Sequence, residues 1–316
     1  MRDLTAFFVL LLFALAALNC GGQPPSTLQS VRSETPTPLI EPTPDLNCQS
    51  YIPDQFGNPM TETERKVDYT NKKLSYEGYE VIQVRRRVDM NADDRRAPRM
   101  YEDLPHVIIK RQGKIVARFL GQAEHLAEVQ FGLVSLLGGS NKQLVIEQTA
   151  NKYWRYWIVN LQPGFEVIYD SGRYDLVYWL RAIDFDHDGR FELVQNLGTF
   201  WYVLGDNGTS PRPEIILKYD PTTHKYLPAN PLFQNEVLRD IGQRITRGQE
   251  IRRNNGFSCP SLVYDVTLRY LYAGRKREAW NFFKREYEQD NKREQESSIK
   301  GMLRRDRVYR TIYQRQ

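Results

Sequence analysis

The chain has 316 residues, 41% of them hydrophobic and 26% charged, with a formal net charge of +5. That length accommodates about two domains, and that apolar content excludes a chain without a buried core. The positive surplus is local: residues 235–316 hold 19 Lys/Arg against 11 Asp/Glu, interleaved as on a solvated helix face.

Met1-Arg2-Asp3 is a short polar start, and residues 4–18 form an apolar run of about 15 residues, the size of a secretory-signal core and short for a membrane span. The run ends in Ala17-Leu18-Asn19-Cys20-Gly21-Gly22, which resembles a bacterial lipobox. That resemblance implies a signal over 1–20, a lipid on Cys20, and a protein anchored in the cell envelope facing the periplasm or exterior. Simple secretion and an uncleaved anchor are the alternatives. Export argues against a nucleic-acid partner. Residues 21–47 carry Pro24, Pro25, Pro36, Pro38, Pro42 and Pro44 among Ser, Thr and Gln, a composition that favours an extended tether over a packed core. If Cys20 carries lipid, Cys48 and Cys259 remain, and in an oxidising compartment they are expected to pair. Such a bridge closes a loop of about 210 residues and contributes roughly 2–4 kcal/mol; two unpaired thiols are the alternative.

Residues 48–232 read as a β-rich domain. Strands are predicted at Tyr79–Arg85, His106–Lys110, Ile115–Leu120, Gln143–Gln148, Trp154–Leu161, Glu166–Tyr169, Phe191–Leu197, Trp201–Leu204 and Glu214–Tyr219. Each is rich in β-branched or aromatic residues and bounded by turn formers. Arg111-Gln112-Gly113-Lys114 reads as a hairpin turn. A weak repeat is visible: Gln143-Leu144-Val145-Ile146-Glu147 aligns with Glu192-Leu193-Val194-Gln195-Asn196. Each copy follows a polar, Gly-containing loop. Each precedes an aromatic segment, Tyr153–Trp157 in one and Phe200-Trp201-Tyr202 in the other. The expected class is mainly β, propeller-blade-like or a sandwich, followed by a small α-helical C-terminal region.

The sharpest motif is Asp184-Phe185-Asp186-His187-Asp188-Gly189-Arg190-Phe191-Glu192. Hard divalent cations take several oxygen ligands. Asp184, Asp186 and Asp188 alternate toward one centre, Gly189 allows a sharp turn, Arg190 offers a carbonyl, and Glu192 adds a carboxylate. His187 falls on the opposite side and reads as a surface residue. The loop is not an EF-hand, because Gln195 stands where that motif needs its last Glu and a strand follows. The pattern is similar to the calcium loops of FG-GAP and VCBS-like repeats, closely over 184–192 and loosely over 130–230. The resemblance implies a structural Ca2+ and blade-like units, with Leu217–Asp220 and Lys225–Pro228 as later blade strands. An acidic turn that binds nothing is the alternative. The sister loop at 135–143 lacks every acidic ligand.

From residue 233 the spacing turns helical. Val237, Leu238, Ile241 and Ile245 define one face, and Leu262, Val263, Val266, Leu268, Leu271 and Tyr272 another. After a break at Ala273-Gly274, Arg277–Glu288 resumes with Ala279, Trp280, Phe283 and Tyr287. The string Leu271–Phe283 is similar to a tetratricopeptide turn, but a single unit forms no groove. A helical hairpin packed on the β domain is expected, with a peptide-binding surface as the alternative. Glu286–Lys300 reads as an exposed charged helix, and Val308, Tyr309, Ile312 and Tyr313 as a docking face.

The sequence contains no phosphate-cradling Gly loop, G-x-S-x-G, H-E-x-x-H or Cys/His cluster, and its four His are scattered. No catalytic residue is assigned. With 19 Tyr and 5 Trp, the aromatics form either a β core or a ligand surface. The surface candidates are Trp154, Tyr156, Trp157, Trp179, Trp201 and Tyr202, only some of which alternation can expose. The resulting expectation is a membrane-tethered, calcium-stabilised binding or assembly module of the envelope. Its partner is an envelope protein or a glycan. A polysaccharide-binding protein or glycan hydrolase is the alternative.

Overall fold

A computed structural model describes residues 65–90, 98–121, 127–150, 153–205 and 209–314. The proposed signal, Cys20, the tether and Cys48 lie outside these residues. The β-rich part holds three four-stranded antiparallel meanders. The first comprises β1 (Leu74–Tyr76), β2 (Tyr79–Asp89), β3 (Tyr101–Arg111) and β4 (Lys114–Phe119). The second comprises β5 (Glu128–Val134), β6 (Gln143–Ala150), β7 (Tyr153–Asn160) and β8 (Glu166–Asp170). The third comprises β9 (Leu176–Ile183), β10 (Glu192–Leu197), β11 (Glu214–Asp220) and β12 (Lys225–Pro228).

Turn chemistry fixes the hairpins. Gln112 and Gly113 both have positive φ (50° and 75°), as a two-residue turn matched to strand twist requires, and the predicted turn at 111–114 joins β3 to β4 in register Arg111↔Lys114. Glu77-Gly78 repeats the device between β1 and β2.

The sheets pack on one another, and alternation divides the inner strands between two cores. Leu144 and Ile146 of β6 join Val81, Val107 and Ile109 of the first sheet. Val145, between them, joins Leu193 and Leu217 of the third sheet. Val194 and Ile216 point the other way, to Phe233, Val237 and Leu238. Burial on both faces extends beyond the apolar centre Leu144-Val145-Ile146 of β6 to its polar residues Gln143, Glu147 and Gln148.

The helical region holds α1 (Gln234–Val237), α2 (Ile241–Asn255), α3 (Pro260–Tyr272), α4 (Lys276–Glu286), α5 (Lys292–Arg305) and α6 (Arg307–Gln314). Gly256, at φ 76°, ends α2 in the left-handed conformation, and Pro260 opens α3 at a position where its missing N–H is harmless. Helix α3 is buried on nearly every side. Its Asp265 binds Arg244 at 2.7 Å and Arg269 at 3.2 Å, and both arginines also reach Asp240, so its charges are paired within the interior. The helices share one core with the second and third sheets: Val266, Leu268, Phe283 and Ile312 cluster with Tyr156, Leu193 and Leu217. The expected packing of the helical hairpin on the β part is therefore observed, and α6 docks through Val308 and Ile312, both buried.

Several expectations need correction. Trp201–Leu204 is a run of turns, not a strand: Leu204 N–H donates to the Phe200 carbonyl at 3.3 Å and Tyr202 has φ 59°. Phe200 and Leu204, four apart, are the buried pair, a helical spacing that the aromatic composition concealed. The true counterpart of β7 is β11. The charged stretch Glu286–Lys300 is not one helix, because Tyr287 leaves α4 with extended backbone and α5 begins only at Lys292. Strands β1, β5 and β9 escaped prediction. In β5 the signal was blunted by Gly132, where a Cβ would lie 2.5 Å from the Asp68 carbonyl. The neighbouring segment pairs there, Thr70 and Phe131 exchanging hydrogen bonds of 2.8 and 2.9 Å.

Candidate functional site

The acidic loop joins β9 to β10, spanning the pair Ile183↔Glu192. Its backbone is held by its own carboxylates. Asp184 Oδ1 accepts from Asp188 N–H and Oδ2 from Gly189 N–H, both at 3.1 Å, and Asp188 Oδ1 accepts from Arg190 N–H at 2.8 Å. Gly189 sits at φ 79° and His187 at φ 56°, and His187 is exposed, as the sequence implied. Asp184, Asp186 and Asp188 each bring a carboxylate oxygen within 4.8 Å of the others.

Glu192 stands apart from the three Asp. It is buried, its Oε2 accepting from Phe185 N–H at 3.1 Å. Its other oxygen accepts from Lys218 Nζ at 2.9 Å, and the same ammonium reaches Asp186 Oδ2 at 2.5 Å and Asp188 Oδ2 at 3.4 Å. Burial raises the Glu192 pKa, opposed by the hydrogen bonds from Lys218 and Phe185. Burial pulls the Lys218 pKa down, but the hydrogen bonds of Asp186 and Glu192 outweigh it, so the ammonium is held above its ordinary value. The site is thus a carboxylate cluster with a lysine ammonium at its centre. Its oxygen donors suit a hard cation, and Lys218 already supplies one positive charge there. Sequence reasoning overlooked Lys218, whose only signal is a lone cation in the strand Ile215-Ile216-Leu217-Lys218-Tyr219. A cavity of about 550 Å³ adjoins the cluster, lined by Phe185, Asp186, Lys218, Leu232, Phe233 and Glu236 among others.

The six candidate aromatics divide. Tyr156 and Trp157 are core, 1% and 6% exposed, on opposite faces of β7. The other four converge with Tyr178 in one row. Trp179 meets Trp154 at 6.0 Å between centroids, Trp154 meets Tyr178 at 5.6 Å, Tyr178 meets Trp201 at 5.6 Å, and Trp201 stacks on Tyr202 at 5.4 Å. Trp179 and Tyr202, at the ends, are 48% and 54% exposed, whereas Tyr178 is 8% exposed. The Arg212 guanidinium lies over Tyr178 at 4.9 Å and Trp201 at 4.8 Å. A β-bulge creates the row: Val194 pairs with Arg181 and Asn196 with Val177, so Tyr178–Leu180 bulge out opposite Gln195 alone.

Cys259 is buried just ahead of α3, its Sγ 3.3 Å from Ser261 Oγ. The chain matches no family model, no curated protein and no solved structure.

Proposed function

We propose that the protein is a calcium-stabilised binding or assembly module of the bacterial cell envelope, held at the membrane through Cys20 and the tether 21–47. The observation that supports it best is the convergence of Asp184, Asp186 and Asp188 on one centre, with buried Glu192 beside it. On this reading the cation is structural: it neutralises carboxylates that otherwise repel and fixes the β9–β10 hairpin. Arg190 adds a backbone carbonyl to the oxygen set, and Lys218 yields part of its place to the metal. Three stacked four-stranded meanders favour blade-like units of the FG-GAP/VCBS type over a two-sheet sandwich. A Cys48–Cys259 bridge would fasten the end of the tether to the start of α3.

The test is calorimetric titration of Ca2+ into the purified chain after EDTA treatment. One site of about micromolar to millimolar affinity, lost in Asp184→Ala and in Asp188→Ala, supports the calcium reading. Absence of heat together with an unchanged melting curve removes it, and leaves Lys218 as the ion-pair partner of the loop's carboxylates among the described residues.

A further inference from the structure

We infer that the row running from Trp179 through Trp154, Tyr178 and Trp201 to Tyr202 is a glycan-binding surface whose exposed ends, Trp179 and Tyr202, take the pyranose rings of a polysaccharide chain. The inference rests on the reading of the protein as a binding module and names the class of ligand.

The first argument is local strain. Tyr178 has φ 63° and Tyr202 φ 59°, the left-handed region that bulky side chains avoid at a cost of about 1–2 kcal/mol each. Such conformations persist only where surrounding structure imposes them, and they gather at functional sites. Both are imposed here by side-chain hydrogen bonds. Buried Gln195 donates to the Tyr178 carbonyl at 2.7 Å and accepts from Tyr169 Oη at 2.5 Å. Ser210 Oγ accepts from Tyr202 N–H at 3.0 Å and donates to the Gly205 carbonyl at 3.0 Å. A fold seeking only stability gains nothing by placing two tyrosines in this backbone region; the consequence of doing so is to aim the rings of the row.

The second argument is chemical. Burying Trp179 and Tyr202 would be favourable, yet about half of each side chain faces solvent. An aromatic face is electron-rich and attracts polarised C–H groups. A sugar ring presents such a C–H face together with a rim of hydroxyls, which need charged or polar partners. Arg181 follows Trp179 by two residues along β9 and pairs with Glu214 at 2.5 Å, the two side chains 26% and 34% exposed. Such a partly exposed ion pair offers a donor and an acceptor to a hydroxyl without burying a lone charge. Tyr, Trp and Arg also mark polypeptide interfaces, so capture of a protein without any glycan is the outcome that overturns this choice of ligand.

The test presents the full chain to an array of immobilised neutral and anionic polysaccharides, with and without Ca2+, and follows the bound class by tryptophan fluorescence. Retention on at least one glycan class is expected. Trp179→Ala and Tyr202→Ala should each weaken it about tenfold with little change in melting temperature, because both side chains are half exposed. Tyr202→Gly separates the roles further: it relieves the backbone, so stability should hold while glycan affinity falls. No retention on any glycan overturns the inference, even if a protein partner is captured. So does glycan binding that is indifferent to both Trp179 and Tyr202. Calcium heat without glycan binding removes this inference alone, whereas glycan binding by a chain that shows no calcium heat removes only the calcium part of the proposed function.

Discussion

The loops 135–142 and 184–191 occupy equivalent places in consecutive meanders and teach different things about charge. Each joins the first strand of its sheet to the second, across the pairs Val134↔Gln143 and Ile183↔Glu192. Each is closed by the same bond: Gln143 Oε1 accepts from Leu136 N–H at 2.7 Å, and Glu192 Oε2 accepts from Phe185 N–H at 3.1 Å. Both closing side chains are buried, 2% and 1% exposed. Gly138 and His187, at matching positions, both have positive φ. The loops also touch, Phe191 N–H donating to the Leu136 carbonyl at 2.8 Å. A neutral amide therefore suffices to shape this hairpin. The acidic loop carries charge in excess of what its shape requires, and Lys218 is the visible response to that excess.

The comparison breaks most sharply at the closing residue. Glu192→Ala removes the loop-closing acceptor and takes from Lys218 its one buried carboxylate partner, leaving Asp186 and Asp188, so about 2–4 kcal/mol should be lost in urea denaturation in EDTA. Gln143→Ala should lose about 1–3 kcal/mol, since it strands backbone donors but no charge. Equal losses in the two variants would mean that Lys218 contributes nothing to the acidic loop. Lys218→Met comes next. Without its ammonium the carboxylates repel and buried Glu192 is left with one partner, so about 1–3 kcal/mol should be lost in EDTA, with a partial return on adding Ca2+. A variant as stable as the parent in EDTA would show the ammonium to be incidental. Glu192→Gln imports the sister loop's chemistry. It keeps the bond to Phe185 N–H and should cost only about 1 kcal/mol in EDTA, while weakening the response to calcium.

How far the sequence foretold this depends on the residues considered. The loop at 184–192, the repeat at 143 and 192 and the turn at 111–114 were legible because their signals are local: alternating Asp, matched strand patterns, and a Gly at a left-handed position. Even so, the repeat was read only as an apolar match, not as two side chains making one bond. Strand β9 was missed because its bulge interrupts alternation at Tyr178–Leu180, the very feature that assembles the aromatic row. Lys218 and Arg212 were missed because each acts on residues far away in sequence, Lys218 on Asp186 and Arg212 on Tyr178. The division of the aromatics into core Tyr156 and Trp157 and exposed Trp179 and Tyr202 depends on which sheet covers which face, and a single strand pattern does not encode that.

The smallest effect on stability is the most discriminating between the loops. Asp186 has no counterpart among the closing residues of loop 135–142, where Leu137 stands in its place. Its carboxylate is 41% exposed and meets Lys218 at 2.5 Å, and exposed pairs of this kind contribute about 0.2–1 kcal/mol once solvent screening is counted. It bonds no backbone N–H of the loop, unlike Asp184 and Asp188. Asp186→Ala should therefore leave the EDTA melting curve within about 1 kcal/mol of the parent. If the excess charge exists to hold calcium, the same variant should lose most of the calcium-induced rise in melting temperature. A variant that keeps the full rise would assign the cation to other oxygens. A parent with no rise at all would return the acidic loop to the status of its neutral sister, a hairpin closed by one buried side chain and balanced by a lysine.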